Sequence, residues 1–234
     1  MGKIGAVIVA GGTGTRMGGT TSKQYLELGG KPVLVHTLEL FQSIQEVETI
    51  VLTVKPGDEE RCAHLLQQYN ITNVHAIVPG GKERQHSVFA GLQALPDTME
   101  WVMVHDAVRP FVAVKHIRAC MDKAQETGAA VLAVRVKDTI KVVDETGRIE
   151  ATPERQSLWA IQTPQAFRLS SLMAAHRQAE LSGFTGTDDA MLMERAGHTV
   201  HVVEGSYNNI KLTTPDDLLW AGWFLDQAKK EGEQ

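Results

Sequence analysis

The chain has 234 residues and a formal net charge of −5, with 43% apolar and 22% charged residues. A chain of this length and composition buries a full core without disulfide or metal staples. The mild acidity argues against a nucleic-acid coat or a polybasic membrane anchor, and no apolar run approaches the length of a bilayer span. In chain order, strands are predicted at residues 4–10, 49–54, 74–78, 101–105 and 129–134. Between them, residues 32–42, 58–69, 84–95 and 114–126 carry apolar side chains at helical spacing. Several of these strands are almost wholly apolar, as strands covered on both faces are. Strand–helix alternation with short links implies right-handed crossovers and an α/β fold with a doubly wound, mainly parallel sheet.

The rhythm changes after Val134. Residues 139–143 and 148–151 are two short β-type runs joined by Asp144-Glu145-Thr146-Gly147, which reads as a hairpin. It carries many charges and little apolar surface, so it is expected to project as an arm over about residues 137–156. Helices at 169–182 and 188–196, a strand at 199–203 and a helix from Pro215 to about residue 229 complete the chain. Thr214-Pro215 suits an N-cap followed by proline in the first turn. No linker, repeat or low-complexity tract breaks residues 1–234, and one domain with a β-arm is expected.

Met1 to Ala10 place one lysine before an apolar stretch. That stretch runs into Gly11-Gly12 with no clear cleavage pattern, and an internal strand is the better account. Cys62 and Cys120 form no C-x-x-C and sit in separate helical stretches. They are expected to be buried thiols of a reducing compartment, which points to the cytoplasm.

In open α/β sheets, ligands bind beyond the carboxyl ends of the strands. The first such loop is Gly11-Gly12-Thr13-Gly14-Thr15-Arg16-Met17-Gly18-Gly19. Glycines let backbone N–H groups approach an anion. The dinucleotide fingerprint fails at Met17, and the Walker A pattern fails at Thr20, where lysine is required. Arg16 and Lys23 add cations that suit a triphosphate, whose charge grows on the leaving group during transfer. The plainer alternative is a flexible glycine loop with two solvated cations. After the third strand, Gly80-Gly81 precede a helix, and the Gly81 backbone and Ser87 hydroxyl are candidates to read a base edge. Its plain alternative is a β–α turn. After the fourth strand, Asp106 is a candidate Mg²⁺ ligand, and Arg109 either meets a phosphate or pairs with Asp106. Thr163-Pro164-Gln165 is read as a polar turn, Thr187-Asp188-Asp189 as a helix start suited to an anion, and Lys211 and Arg155 as further cations. The nine histidines include a His198-x-x-His201 pair without a third ligand; this pair and His36, His64, His116 and His176 are assigned no chemistry. No G-x-S-x-G elbow is present.

Taken in order, these pieces resemble the sugar-nucleotide type nucleotidyltransferases over nearly the whole chain. More narrowly they are similar to the 2-C-methyl-D-erythritol 4-phosphate cytidylyltransferase family of the non-mevalonate isoprenoid pathway. The likeness is carried by Ala10 to Met17 with Lys23-Gln24-Tyr25, Gly80-Gly81 with Arg84 and Ser87-Val88, and Val104 to Pro110. It continues through Asp138 to Lys141, Thr163 to Gln165, Thr187 to Ala190 and Asn209-Ile210-Lys211. The resemblance implies a Rossmann-like nucleotidyltransferase fold and transfer of CMP from CTP to a polyol phosphate with Mg²⁺. It assigns Arg16 and Lys23 to the transition state and Arg155 and Lys211 to the incoming phosphate. It assigns Ala10, Gly11, Gly12, Gly14, Gly81, Ser87, Asp106 and Ala107 to the nucleotide, Asp106 also to the metal, and Arg109, Thr139, Thr163 and Thr187 to the acceptor. It further implies a homodimer with exchanged arms, in which Thr139 and Arg155 complete the partner's site, and no nucleic-acid or membrane partner. Gly11 and Lys82 depart from the family pattern, where alanine and acidic residues also occur. Ribitol-5-phosphate cytidylyltransferase is the nearest alternative. The run from Arg155 to Thr163 favours methylerythritol phosphate. A hydride-transfer enzyme is disfavoured by Met17, and a nucleotide-binding module without turnover by the cations.

Overall fold

The structure, a computed structural model, describes residues 2–12 and 22–232. Strand β1 (Ile4–Ala10) leads to a 3-10 turn at Lys23–Tyr25, then to the short strands β2 (Glu27–Leu28) and β3 (Lys31–Pro32) and helix α1 (Val33–Gln42). There follow β4 (Val47–Val54), α2 (Glu59–Gln68), β5 (Val74–Pro79), α3 (Arg84–Gln93), β6 (Trp101–Asp106), α4 (Val114–Thr127) and β7 (Ala129–Arg135). The arm holds β8 (Val142–Val143) and β9 (Ile149–Ala151), and a 3-10 turn at Arg155–Ser157 leads into β10 (Trp159–Arg168). Helices α5 (Leu169–Leu181) and α6 (Asp189–Arg195), strand β11 (His201–Glu204) and helix α7 (Pro215–Gly232) follow.

The main sheet has the order β11-β7-β10-β6-β1-β4-β5. All its neighbours are parallel except β10, which runs antiparallel to both β6 and β7. The chain winds outward from β1 through β4 to β5, then returns to the other side of β1 as β6. That reversal is the switch point where such sheets open a crevice beyond their carboxyl ends.

The strands are apolar on both faces because both are covered. Ala6, Ile8 and Ala10 of β1 face one core with Leu34, Leu38 and Phe41 of α1 and Ile117, Cys120 and Met121 of α4. The intervening Val7 faces a second core with Val88 and Leu92 of α3, Leu172 of α5 and Leu192 of α6. A third cluster of Leu28, Val33, Val108, Leu212 and Ala221 seats α7 beside the loop after β6.

The expected polar turn at residues 163–165 is instead the middle of β10, a central strand. Pro164 follows a cis peptide bond. It lies where the β10–β7 pairing breaks between Ile161 and Gln165 and just before β10 pairs with β6 at Gln165. A proline, which lacks an N–H, is tolerated where the ladder requires no donor. The β2–β3 hairpin also went unpredicted. Gly29 and Gly30, with φ of 59° and 83°, form its two-residue turn, a conformation that glycine adopts without cost.

Both cysteines are free and buried. Burial pushes the Cys120 thiol up to about 12 and also raises Cys62. Neither thiol is therefore expected to react with Ellman's reagent in the native protein at pH 8.5, while both react in urea; rapid native labelling contradicts the packing. The sign follows from linkage. The Cys120 contribution to stability is complete below the unfolded value near 9 and is lost as pH rises from there through about 12.

Candidate active site

Beyond the carboxyl ends of β1, β5 and β6 lies an open cleft of about 290 Å³. Ala10, Gly11 and Gly12 form one wall, and Lys23 and Gln24 approach from the 3-10 turn. A side chain at Gly12 would place its Cβ 3.9 Å from Lys23 Cε, so the Lys23 stem runs across that glycine. Gly14 and Arg16 lie outside the described residues.

The turn after β5 adjoins this wall, since a Cβ at Gly11 would lie 3.3 Å from Ser87 Oγ. Gly81 N–H donates to Ser87 Oγ at 3.1 Å, and Ser87 Oγ donates to the Glu83 carbonyl at 3.2 Å. The two groups expected to read a base are thus adjacent and line the cleft. Gly80 is required for close approach: a Cβ there would sit 2.6 Å from Ser87 Oγ and 3.1 Å from the Val54 carbonyl.

Asp106 ends β6 at the cleft floor. Its carboxylate accepts from Arg84 Nε at 3.1 Å on one oxygen and meets Lys211 Nζ at 2.6 Å on the other. Burial by itself raises the Asp106 carboxyl, but the charges of Arg84 and Lys211 outweigh it and hold the group well below the usual carboxylate range. Arg84 also donates to Asp189 Oδ2 at 2.7 Å, and the other Asp189 oxygen lies 3.1 Å from His176 Nε2. Charges of alternating sign therefore run from Lys211, in the segment between β11 and α7, through Asp106 of β6 and Arg84 of α3 to Asp189 of α6.

The remaining predicted residues sit differently. Ala107 is buried, its N–H bonded to the Val9 carbonyl at 3.0 Å and its carbonyl to Thr37 Oγ1 at 2.8 Å. Arg109 does not form the Asp106 pair that the sequence left open. It donates from Nη1 to the Asn209 carbonyl at 2.7 Å, tying the loop after β6 to the segment that carries Lys211. Thr163 is buried between neighbours: its Oγ1 accepts from the Asp106 N–H at 3.1 Å and lies 3.0 Å from His105 Nδ1. His105, in β6, is fully buried, and burial pushes its pKa down to about 4, so the neutral ring serves as a strut between Thr163 and the Arg109 carbonyl, which lies 3.1 Å from its Nε2.

Thr187 is exposed just before α6. The start of α6 is not open to an anion, as its sequence suggested. Met191 N–H donates to the Asp188 side chain at 3.0 Å, and Asp189 and Ala190 N–H both donate to Gln165 Oε1 at 3.2 Å. Thr139 and Arg155 are exposed on the arm, with Arg155 Nη1 donating to the Lys137 carbonyl at 3.0 Å. Neither lines the cleft of its own chain. The arm leaves the carboxyl end of β7 and returns at the start of β10, opposite Arg135, so it springs from the same end of the sheet as the cleft. It also exposes Ile140, Val142, Val143 and Ile149, more apolar surface than its charges led the sequence to suggest. Sequence reasoning assigned no chemistry to His176 or to an Arg84–Asp189 link, although the acidic pair at 188–189 was visible.

Among the described residues, no group of three or more His, Cys, Asp or Glu side chains gathers as a metal cage, and both Asp106 oxygens already face cations. The donors suit a hard cation brought in on phosphate oxygens with Asp106 as a protein carboxylate, and do not suit a metal held by protein alone.

A glycine-lined cleft at the switch point, with Arg84 and Lys211 on a buried carboxylate and Lys23 on its lining, fits the site of a nucleotidyltransferase. The family model for 2-C-methyl-D-erythritol 4-phosphate cytidylyltransferase matches residues 4–227. The chain is 51% identical over 220 residues to the enzyme of that name from Geobacillus thermodenitrificans, covering 94% of this chain and 96% of the relative. It is likewise 51% identical over 226 residues to that of Geobacillus kaustophilus, covering 97% and 98%. The solved 4-diphosphocytidyl-2C-methyl-D-erythritol synthase from Anaerococcus prevotii matches with a TM-score of 0.86 at 34% identity, covering 96% of each chain. This chain belongs to the 2-C-methyl-D-erythritol 4-phosphate cytidylyltransferase family.

Proposed function

We propose that the chain transfers CMP from CTP to the phosphate of 2-C-methyl-D-erythritol 4-phosphate, releasing pyrophosphate and forming the CDP-alcohol of the non-mevalonate isoprenoid pathway. The observation that carries this beyond family membership is the Asp106 floor flanked by Arg84 and Lys211, with Lys23 entering over Gly12. An acceptor phosphate is already ionised at neutral pH, so its oxygen attacks the α-phosphorus without a general base. The demand on the protein is alignment and positive charge. Gly81 and Ser87 read the cytosine edge, Ala10 to Gly12 back the phosphates, and Lys23, with Arg16, meets charge developing on the leaving pyrophosphate. Asp106 would hold a Mg²⁺ brought in with the triphosphate, which would supply neutralisation of the phosphate oxygens. Lys211, which rests on Asp106, transfers to the incoming phosphate.

Thr139 and Arg155, remote from their own cleft, complete the acceptor side of a partner's cleft in a homodimer joined through the arms. The exposed apolar arm residues support this, since such patches mark protein interfaces. Mixing Arg155→Ala and Lys211→Ala chains is then expected to restore activity in mixed dimers, because one of the two sites regains both residues. No recovery in mixed dimers confirmed by mass would contradict arm exchange. The cytoplasm is the compartment consistent with two free, buried thiols.

The reaction itself is tested by following CTP labelled separately at its α- and γ-phosphates. The α label is expected in a CDP-alcohol and the γ label in pyrophosphate. A γ label in inorganic phosphate, or no turnover in protein that binds CTP, would overturn the assignment.

A further inference from the structure

The chain leaves the sheet at Ala10 and returns to described structure at Ser22, one residue before Lys23. Gln24 is 1% exposed, and its amide Nε2 donates to the Ala10 carbonyl at 2.7 Å. A single side chain thus joins the last residue of β1 to the turn that carries Lys23. The other side of that turn is bolted to α2. Tyr25 is buried, its hydroxyl donates to Asp58 Oδ2 at 3.1 Å and lies 3.2 Å from Cys62 Sγ, and the Arg61 guanidinium stacks 3.9 Å from its ring centre. Backbone bonds from Tyr25 N–H to the Ser22 carbonyl and from Leu26 N–H to the Lys23 carbonyl set the turn between these anchors.

A turn tied on both sides has fewer arrangements open to it than one tied on one side only. A buried strand-end carbonyl also needs a donor, and Gln24 supplies one from the turn that carries Lys23. We propose that Gln24 is a positioning residue for the transfer reaction: its bond to Ala10 ties the turn that carries Lys23 to the end of β1 and fixes Lys23 over the Gly12 wall. This rests on the proposed role of Lys23. Gln24 acts through the lysine beside it, so its contribution requires that lysine.

The test is a double-mutant cycle on the full chain with CTP, Mg²⁺ and methylerythritol phosphate. Gln24→Met keeps the side-chain length and removes the donor. It is expected to lower kcat by about tenfold to a hundredfold, as misplacing a group by about an ångström does, with KM for CTP changed less than threefold. In a Lys23→Ala background the same change is expected to cost less than twofold. Equal losses in both backgrounds would overturn the inference, as would a lowered melting temperature with kcat intact. If Lys23→Ala alone leaves kcat unchanged, the lysine assignment fails first and the inference falls with it. Gln24→Glu, which preserves shape but puts an acceptor where the amide donates, is the second variant should Gln24→Met not fold. It is expected to show the same kcat loss and the same dependence on Lys23.

Discussion

Replacing Lys23 with alanine is expected to raise the barrier to transfer by about 2–4 kcal/mol, a fall of roughly 30- to 1,000-fold in kcat, while CTP affinity changes little. The asymmetry follows from when the charge is needed. In the proposed reaction, the ground-state charge of the triphosphate would be met by its accompanying Mg²⁺ and by the glycine wall of the cleft. The extra negative charge on pyrophosphate appears only as the α-phosphorus bond breaks, and a preorganised ammonium is worth most at that moment. Lys23 comes from a turn anchored to the sheet through Gln24 and to α2 through Tyr25, so little reorganisation is required of it. Pre-steady-state turnover and equilibrium CTP binding measured on the same variant check this. Equal losses in rate and affinity would mean that Lys23 only binds nucleotide.

The second large effect concerns stability. Arg84→Met is expected to cost about 3–5 kcal/mol, because removing one partner strands buried charge. Asp106 and Asp189 share that arginine, and the Asp189 side chain is 1% exposed. Lys211 still compensates Asp106, but Asp189 keeps only His176. Asp189→Asn combined with Arg84→Met should therefore cost clearly less than the two changes added together, since the stranded charge is gone. Urea melts of the two single variants and the double variant measure the coupling. Simple additivity would mean that the network contributes no more than its separate pairs. This chain of charges also explains why Asp106 stays ionised despite its burial: two cations hold it from opposite oxygens.

Most of the main sheet was legible because its strands are apolar on both faces and separated by amphipathic stretches. Val7 and Ile8 point to opposite cores, yet both are fully buried, and the run that includes them has no other stable use. Strand β10 was not legible, because Gln162, Thr163, Pro164 and Gln165 have the composition of a turn. Their polar groups are instead consumed inside the fold. Gln162 donates to the Ser206 carbonyl, Thr163 accepts from the Asp106 N–H, and Gln165 caps α6. Composition reports polarity and does not report partners. The same limit hid the use of Asp189. An acidic pair at a helix start reads as a cap, and the arginine that claims its second member lies 105 positions away.

Of the candidate site, the glycine turns and cations at the strand ends were readable because topology puts those ends together. Gly11, Gly12, Lys23, Gly81, Ser87, Asp106 and Lys211 all line one cleft. The places of Arg109 and Thr163 were not readable. Arg109 reaches from the loop after β6 to Asn209, and Thr163 meets the Asp106 N–H at the end of β6, contacts that only the folded chain creates. Thr163 braces Asp106, and Arg109 braces the segment that carries Lys211.

The central claim, cytidylyl transfer to methylerythritol phosphate, is tested most directly by pyrophosphate release with Mg²⁺ and CTP, comparing that acceptor with ribitol 5-phosphate. Release with 2-C-methyl-D-erythritol 4-phosphate, and at least a hundredfold less with ribitol 5-phosphate, is the predicted result. Release driven by ribitol 5-phosphate alone would contradict it, leaving the nucleotide side of the cleft intact and the acceptor side misassigned.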